Sequence, residues 1–587
     1  MLRRVLIGAT VVGLAAAVAA PARAYYSQVL MPGVSYSRQV QFTAHGPVAI
    51  HVITAPKPVG LYRLRPLLAN GTVTGRQRVT AMEKAVSDQA TVVGTNGDLF
   101  NWADGHPSGI VMQDGLLKVP PLRSRSSIGI SNTGTLTVQR VAQFGFWQGL
   151  GSRRTLSLNK TPIGDGTTIF TPVWGARTPV VSGAVETTIE PYPPVTTGSV
   201  LSGIAIAQSS GGGTVIPRDG AVMMAVGSQA AKLVAETPPG TVVQTQFSLS
   251  PNWPALGIAD ALGGGPVIVR NGQPVYTAGE DFLPSQLAPR NPRTGIGQRA
   301  NGQIVMVVVD GRRRGYSVGL TNFELAQTLV RLGAVTGSAL DAGGSSTMAF
   351  DGHLLNRPSD PSGERPVKET LALMYTGVYA PPPTQLVLSP NGDGQAERET
   401  LSFKIVRQSN VDAKLIDPNG TTVYENAGDR APGVYQITWP SRTIRRRSAV
   451  RRRASDLTLG RWRWSVSATD DQQQSSSVSR VFWVNDTLGF LRVKPRVARI
   501  RAHRRNAVVA SFQVVHAARV TGSVWTRSGV LVRRIGPVSM KPGTRTLRWN
   551  GRYHSGGIAY SGGYVFKVFA RNAYGPVTLQ QNFTVRH

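Results

Sequence analysis

The sequence predicts an α/β (α+β) mixed-sheet domain over residues 25–379, followed by two all-β sandwich domains at 386–486 and 487–587. Three observations carry that prediction. Capped amphipathic segments alternate with apolar runs in the first part. A stacked-proline segment, "APPPTQ" (380–385), then interrupts the chain, because consecutive prolines continue neither a helix nor a central strand. After it, short stretches of alternating apolar and polar residues recur between Gly, Asn and Asp turns, an all-β pattern.

Residues 1–24 read as a signal peptide. Arg3 and Arg4 form a positive start, Val5 to Ala20 an apolar core, and Ala22-Arg23-Ala24 an A-x-A cleavage signal. The apolar core is shorter than the ~20 residues of a spanning helix, and no later run reaches that length. The expectation is a secreted or cell-envelope-associated protein with no transmembrane segment after cleavage. The chain has no cysteine, which excludes disulfides, thiol nucleophiles and cysteine metal sites.

The formal net charge is +33, and the β part carries 33 basic residues against 11 acidic from 381 to 587, with no acid after 491. A basic surface of this strength favours polyanions. For an exported chain the expected partner of these modules is an anionic cell-envelope polymer; nucleic acid is not expected.

In the first domain, "RVTAMEKAVSDQATVVGTNGDLF" predicts a helix opened by a Thr80/Glu83 capping box, then a strand, then a polar loop from Asn96. "GLTNFELAQTLVRLGAVTGSALDAGGSS" repeats the plan. Thr321 and Glu324 form the box, Leu325, Leu329 and Leu332 share a face, Gly333 ends the helix, and a strand runs to Leu340 before Asp341. Between them, "GQIVMVVVDGRR" reads as a strand buried on both faces and ending at Asp310. Three strands thus deliver polar residues at their C-terminal ends, where α/β sheets bind ligands.

The β part contains an internal repeat. "AKLIDPNGTTVYE" (413–425) parallels "TGSVWTRSGVLVRR" (521–534), and "GRWRWSVSATDDQ" (460–472) parallels "GGYVFKVFARNAYG" (562–575). Each copy is about 100 residues, the size of a sandwich domain. The first copy carries an arginine-rich insertion, "RTIRRRSAVRRR" (442–453), which is a solvated loop or a polyanion contact.

Asn96, Asp310 and Asp341 are each followed by a small residue, which keeps them accessible. Gly343, Gly344, Ser345, Ser346 and Thr347 form either a tight turn or a nest of N–H groups suited to phosphate. Arg293, Arg357 and Arg365 lie in neighbouring segments, and arginine grips phosphate bidentately. Together they point to a site that holds phosphate and does acid/base work beside it. "GGSST" lacks the second glycine of a G-x-S-x-G elbow, and there is no H-E-x-x-H, so neither a serine triad nor a catalytic metal is expected.

The segments "RTGIGQRANGQIVMVVVDGRRRGYSVGLTNFELAQTLVRLGA", "LDAGGSSTMAFDGHLLNRPSD", "ERPV", "GTNGDLFNW", "GHPSGIVMQDG" and "LGGGPVIVRNG" resemble the phosphodiester glycosidase family over roughly residues 30 to 379. The resemblance implies hydrolysis of a sugar-1-phosphodiester, releasing the sugar and leaving a phosphomonoester, without a cofactor. It implies that Arg293 and Arg357 hold the phosphate. Asp310 and Asp341 become acid/base or nucleophile candidates, Asn96 and Asp98 candidates for sugar hydroxyls, and Glu364 a partner of Arg357 or a second acid. Two positions depart from the family. "DAGGSS" has Ala342 where glycine is usual, so that residue must adopt an ordinary backbone region. "NGDLF" has Asp98 and Leu99, which adds a negative charge. The alternative expectation is a non-catalytic binder of wall or anionic glycan on the same fold.

"LSPNGDGQAERETLSFKI" resembles the start of Ig-like modules of bacterial surface proteins, and "LRWNGRYHSGGIAYSGGYVFKVFA" the Ig-like domain of flagellar hook-capping proteins. In the first, Asn391, Asp393 and Glu397 could hold calcium or simply shape a turn.

Overall fold

A computed structural model describes residues 24–276, 278–440, 457–501 and 507–587. The predicted signal peptide, apart from Ala24, and the arginine-rich insertion lie outside the described residues. The chain divides into two units. One spans Val92–Met374 together with the segment through Ser87; the other spans Tyr375–His587 together with Asp88–Thr91.

Strand dominates the first unit, more than the α/β (α+β) mixed-sheet expectation implied. Among the described residues the four α-helices are short, the longest being Asn322–Arg331. Much of the difference lies between residues 142 and 250. There, long alternating strands such as Val180–Ile189, Val200–Gly212 and Val242–Ser250 join one eight-stranded sheet. Its buried side chains, among them Trp147, Ile189, Phe247 and Leu249, form a core of their own.

A second eight-stranded sheet positions the site. Its central strands run in the order Gly46–Ala55, Ile304–Val309, Arg293–Arg299, Ala334–Ala339, with antiparallel neighbours throughout this run. Every residue of Ile304–Val309 is buried, as its unbroken apolar run predicts. The helix Asn322–Arg331 covers one face, placing Leu325, Ala326 and Leu329 on Val305, Val307 and Val309. Each such leucine or valine contributes roughly 1.5–3 kcal/mol on burial. The helix sits close because the neighbouring strand Arg293–Arg299 carries glycine: a Cβ at Gly295 would lie 3.1 Å from Leu325 Cδ2.

The Thr321/Glu324 capping box forms as predicted, with Glu324 N–H donating to Thr321 Oγ1 (3.1 Å) and Thr321 N–H to Glu324 Oε2 (2.9 Å). Gly333 follows the helix at φ +90. The Thr80/Glu83 box does not form. The helix runs Val79–Ala85 with Arg78 at its N-cap, and Thr80 sits inside the first turn. Thr80 gives its N–H and hydroxyl to Glu364 (2.9 and 2.6 Å), while buried Glu83 accepts from Gly352 N–H (2.8 Å). A carboxylate brought by the fold caps this helix in place of the local pattern.

The second unit contains two β-sandwiches of one plan. In the first, strands Glu399–Ile405 and Gly433–Trp439 pair and face the sheet that carries Ser409–Ile416 and Gly460–Asp470 across a shared core. In the second, Val508–Val514 and Gly543–Trp549 pair likewise and face Ala518–Thr526 and Gly562–Asn572. In each, a short strand adds in parallel at the edge, on Ser475–Val484 and on Gly575–Arg586 respectively.

Candidate active site

The sheet order explains why three of the predicted residues meet. Arg293–Arg299 runs antiparallel to both neighbours, so the C-terminal ends of Ile304–Val309 and Ala334–Ala339 lie beside its first residue. Arg293, Asp310 and Asp341 therefore share one sheet edge. Asn96 ends a strand of a different sheet and stitches the loops together. Its Nδ2 donates to the Asp341 carbonyl (2.8 Å), and its Oδ1 accepts from Thr294 Oγ1 (2.8 Å) and Thr347 N–H (3.1 Å). Asn96 is buried with its amide spent, so it braces the site and offers nothing to a sugar hydroxyl.

Asp310 is enclosed. Its carboxylate lies 2.9 Å from His51 Nε2 and accepts from Tyr316 Oη (2.8 Å), Asn356 Nδ2 (3.0 Å) and Arg357 N–H (3.1 Å). Burial alone would raise its pKa; the bonds to His51, Tyr316 and Asn356 outweigh burial and hold it below the usual carboxylate range. His51 is held in turn by Tyr36 Oη at 2.8 Å from Nδ1. Asn356 also donates to the Ser346 carbonyl (3.1 Å), tying Asp310 to the glycine-rich turn. Arg357 puts its backbone, not its guanidinium, on Asp310; the exposed side chain lies over the Tyr316 ring at 5.2 Å.

Asp341 has the opposite surroundings. It lines a cleft of about 260 Å³ with Arg293, Arg312, Asn291 and Asn322. Its Oδ1 accepts from Ala342 N–H (2.8 Å), and burial raises its pKa against the pull of Ser345 and Arg365. Arg293 is largely committed. Its guanidinium donates to the carbonyls of Leu320 (3.0 Å), Gln286 (2.8 Å), Leu287 (3.0 Å) and Pro289 (2.8 Å). That leaves one of five N–H groups for a ligand. Burial, with Arg312 nearby, lowers its pKa to about 10.

Arg312 is the cation the sequence reading missed. It is exposed, holds Asn291 Oδ1 through Nε (3.0 Å), and adopts φ +58, a conformation unusual for a side-chain-bearing residue. A Cβ at Gly343 would lie 2.9 Å from Arg312 Nη2, so glycine there admits the guanidinium. The available signal was its position two residues beyond Asp310 in "DGRR".

The turn after Asp341 is a short 3₁₀ segment, Gly343–Ser345. It is less of a nest than predicted. Gly343 N–H goes to Pro292 O (2.9 Å), Ser346 N–H to Gly343 O (3.2 Å) and Thr347 N–H to Asn96. Gly344 admits the Arg365–Asp360 pair, whose bonds are 2.7 and 3.0 Å; a Cβ there would lie 2.0 Å from Arg365 Nη2. Arg365 also donates to Ser345 Oγ (3.4 Å). Glu364 is the helix cap described above, turned toward Thr80 and not toward Arg357. Ala342 sits at φ −121, ψ −176, the ordinary region expected of it.

Asp98 lies behind the cleft and does not line it. Its carboxyl is wedged between Gly109 and Gly263, where added Cβ atoms would lie 2.7 and 1.9 Å from Oδ2. Its N–H donates to Glu369 Oε1 (2.9 Å). Burial pushes Asp98 up to about 7 and Glu369 up to about 8, and each carboxyl raises the other or is raised by a neighbour: Glu369 by Asp98, Asp98 by Asp341.

Residues 197–374, which contain Arg293, Asp310, Arg312 and Asp341, match the family model described as phosphodiester glycosidase. Over this stretch the chain is similar to the phosphodiester glycosidase family. The SPbeta prophage-derived uncharacterized protein YomE of Bacillus subtilis is 37% identical over 91 residues, and N-acetylglucosamine-1-phosphodiester alpha-N-acetylglucosaminidase of Bos taurus is 37% identical over 68. Those matches cover 16% and 12% of this chain and only 14% and 12% of the relatives' lengths. A crystal structure of a candidate exported protein from Burkholderia pseudomallei is similar in fold, with TM-score 0.50 and 19% identity, covering 60% of this chain and 96% of that one.

The matched stretch thus includes the strand ends and the glycine-rich turn, while His51, Asn96 and Asp98 come from the chain before it. In the second unit, the calcium candidate is knit as a turn. Glu397 Oε1 accepts from Gly392 and Gly394 N–H (2.8 and 3.1 Å), and Asp393 Oδ2 from Phe490 N–H (2.8 Å). Asn391 donates to the Leu488 carbonyl (2.9 Å). Among the described residues no group of three His, Asp or Glu side chains is arranged to hold a metal ion. Nor is any helix among them long and apolar enough to cross a membrane.

Proposed function

We propose that the first unit hydrolyses the glycosidic bond of a sugar-1-phosphodiester. The observation that carries this reading is the cleft itself, whose lining brings a carboxyl of raised pKa, Asp341, together with the exposed guanidinium of Arg312 and with Arg293. In the reaction, the bond between the sugar C1 and the phosphate oxygen breaks and its electron pair leaves with the phosphate. Water supplies the hydroxyl that replaces it at C1, and its proton is released to the site. Phosphate departs readily once its charge is met, so Arg312, with the remaining N–H of Arg293, supplies the electrostatic stabilisation. Asp341 is the carboxyl that reaches the reacting centre. Asp310 stays ionised and positions Tyr316 and the Asn356–Arg357 segment. Paired carboxyls with divergent pKa values divide such roles.

The test is release of reducing sugar from N-acetylglucosamine-1-phosphodiesters. Turnover lost in both Asp341→Asn and Arg312→Ala supports the assignment; turnover unchanged in either removes that residue from the site. A non-catalytic glycan-binding reading draws on the turn, which spends three of its five N–H groups on the protein's own acceptors. It requires binding without turnover across the same substrates. We further propose export and retention on an anionic envelope polymer through the basic β modules, which resemble Ig-like spacers. Binding to such a polymer that does not weaken with salt would count against it.

A further inference from the structure

We propose that the catalytic cleft continues into a subsite for an apolar group esterified to the phosphate. A cavity of about 520 Å³ lies beside the cleft and shares Pro266, Phe282, Leu287 and Asn322 with it. Its other walls include Val267, Val275, Tyr276 and Phe323. That size and lining are those of a small-molecule site. Tyr276 stands over Phe323 edge to face, with ring centroids 5.3 Å apart, yet remains 82% exposed. An aromatic pair held this way presents rigid apolar surface.

Two polar side chains of the cavity, Glu280 and Thr321, are spent on the protein. Glu280 accepts from Ser126 N–H (2.7 Å), Ser126 Oγ (2.8 Å) and Val267 N–H (2.8 Å). Thr321 is occupied in the capping box. A second sugar or a glycerol would find few hydrogen-bond partners here and lose those it made to water. An aryl or alkyl group loses nothing and buries apolar area. Asn322, on the boundary of both spaces, marks where the phosphate would end and the apolar group begin. The cleft residues Arg312 and Arg293 fix the phosphate; the cavity then receives the alcohol on its far side. Specificity would therefore lie in the aglycone as well as the sugar.

The inference rests on the proposed hydrolysis, so the experiment separates the two. N-acetylglucosamine-1-phosphate esters of 2-phenylethanol and of glycerol are compared on the intact chain. The expected result is kcat/KM at least about tenfold higher for the phenylethyl ester, the scale set by one well-filled apolar pocket. Tyr276→Ala and Phe323→Ala should each shrink that ratio while leaving the glycerol ester unchanged. Equal turnover of both esters overturns the subsite and leaves the hydrolysis standing. If neither ester is turned over, the hydrolysis reading fails, and the subsite is judged by calorimetry with phenyl phosphate and methyl phosphate. Tighter binding of phenyl phosphate that Tyr276→Ala abolishes supports the subsite; equal binding removes it.

Discussion

Asp310 and Asp341 stand at the same sheet edge, and their surroundings differ in every respect that matters to chemistry. Asp310 accepts from a tyrosine, an asparagine and a backbone N–H, with a histidine ring nitrogen 2.9 Å away, and its pKa is lowered. Asp341 has a backbone bond and a serine, lines an open cleft, and its pKa is raised. A carboxylate surrounded by donors is a fixed charge. A carboxyl short of donors changes its state easily. The difference teaches that position at a strand end makes a residue accessible to function, and that donors arriving from elsewhere decide which function it performs.

The largest effect should come from exchanging the two with their amides. Asp341→Asn is expected to lower kcat/KM by about 10³-fold or more, the scale of losing an acid/base or nucleophilic group, while stability holds or rises. The stability sign follows from the raised pKa: the fold already disfavours the charged form, so a neutral isostere relieves it. Asp310→Asn should do the reverse. An amide cannot accept from all of those donors, and breaking a buried hydrogen-bonded pair costs about 3–5 kcal/mol. Chemical denaturation and steady-state kinetics on both variants check the contrast, which fails if the two profiles coincide.

Arg312 and Arg293 extend the comparison to the cations. Arg312→Ala should lower kcat/KM by about 10²–10³-fold with little change in stability, because it removes an exposed donor aimed at developing charge. Arg293→Ala should cost at least about 3 kcal/mol, since it strands carbonyls that its guanidinium now satisfies. Inorganic phosphate should protect the wild-type cleft against denaturation, and Arg312→Ala should abolish that protection.

The edge was legible because an unbroken apolar run must be buried, so the polar residue that ends it must sit at a rim. Asp310 followed from that, and Asp341 from the strand that follows the helix stop at Gly333. Their division of labour was not legible, because His51 lies 259 residues from Asp310 and only the sheet pairing of Gly46–Ala55 with Ile304–Val309 brings it near. Arg293 was read as a phosphate grip from its residue type; the carbonyls that occupy it come from the short helix Pro284–Leu287, from Pro289 and from Leu320, and only the fold aims them at it. The excess of helix in the predicted fold has a similar cause. Capping patterns and leucine spacing announce helices locally, whereas the paired strands between residues 142 and 250 depend on partners far along the chain.

The buried pair behind the cleft predicts a pH dependence. Asp98 at about 7 and Glu369 at about 8 both lie above their unfolded values. The folded chain therefore binds more protons than the unfolded one between the ordinary carboxylate range and about pH 8, so stability falls as pH rises through that window. Asp98→Asn and Glu369→Gln should each flatten the slope. Asp310, with its lowered pKa, acts oppositely and loses its contribution only as pH falls through the acid range. Denaturation midpoints from pH 4 to pH 9 measure the slope, and a flat wild-type profile would contradict the shared burial of the pair.

The smallest expected effect concerns Glu364, which the sequence placed with the catalytic carboxyls and the structure places on a helix. Its two oxygens take the N–H and hydroxyl of Thr80 in the first turn of Val79–Ala85. A cap of this kind contributes about 0.5–2 kcal/mol. Glu364→Gln keeps one acceptor and should lower stability by about 1 kcal/mol or less, with kcat unchanged. Thr80→Val should cost about the same, and the double variant should cost less than the sum, because both substitutions remove one shared contact. A loss of kcat in Glu364→Gln with stability intact would return Glu364 to the reacting centre. It would also mean that three carboxyls, and not the contrasting two, divide the chemistry at this edge.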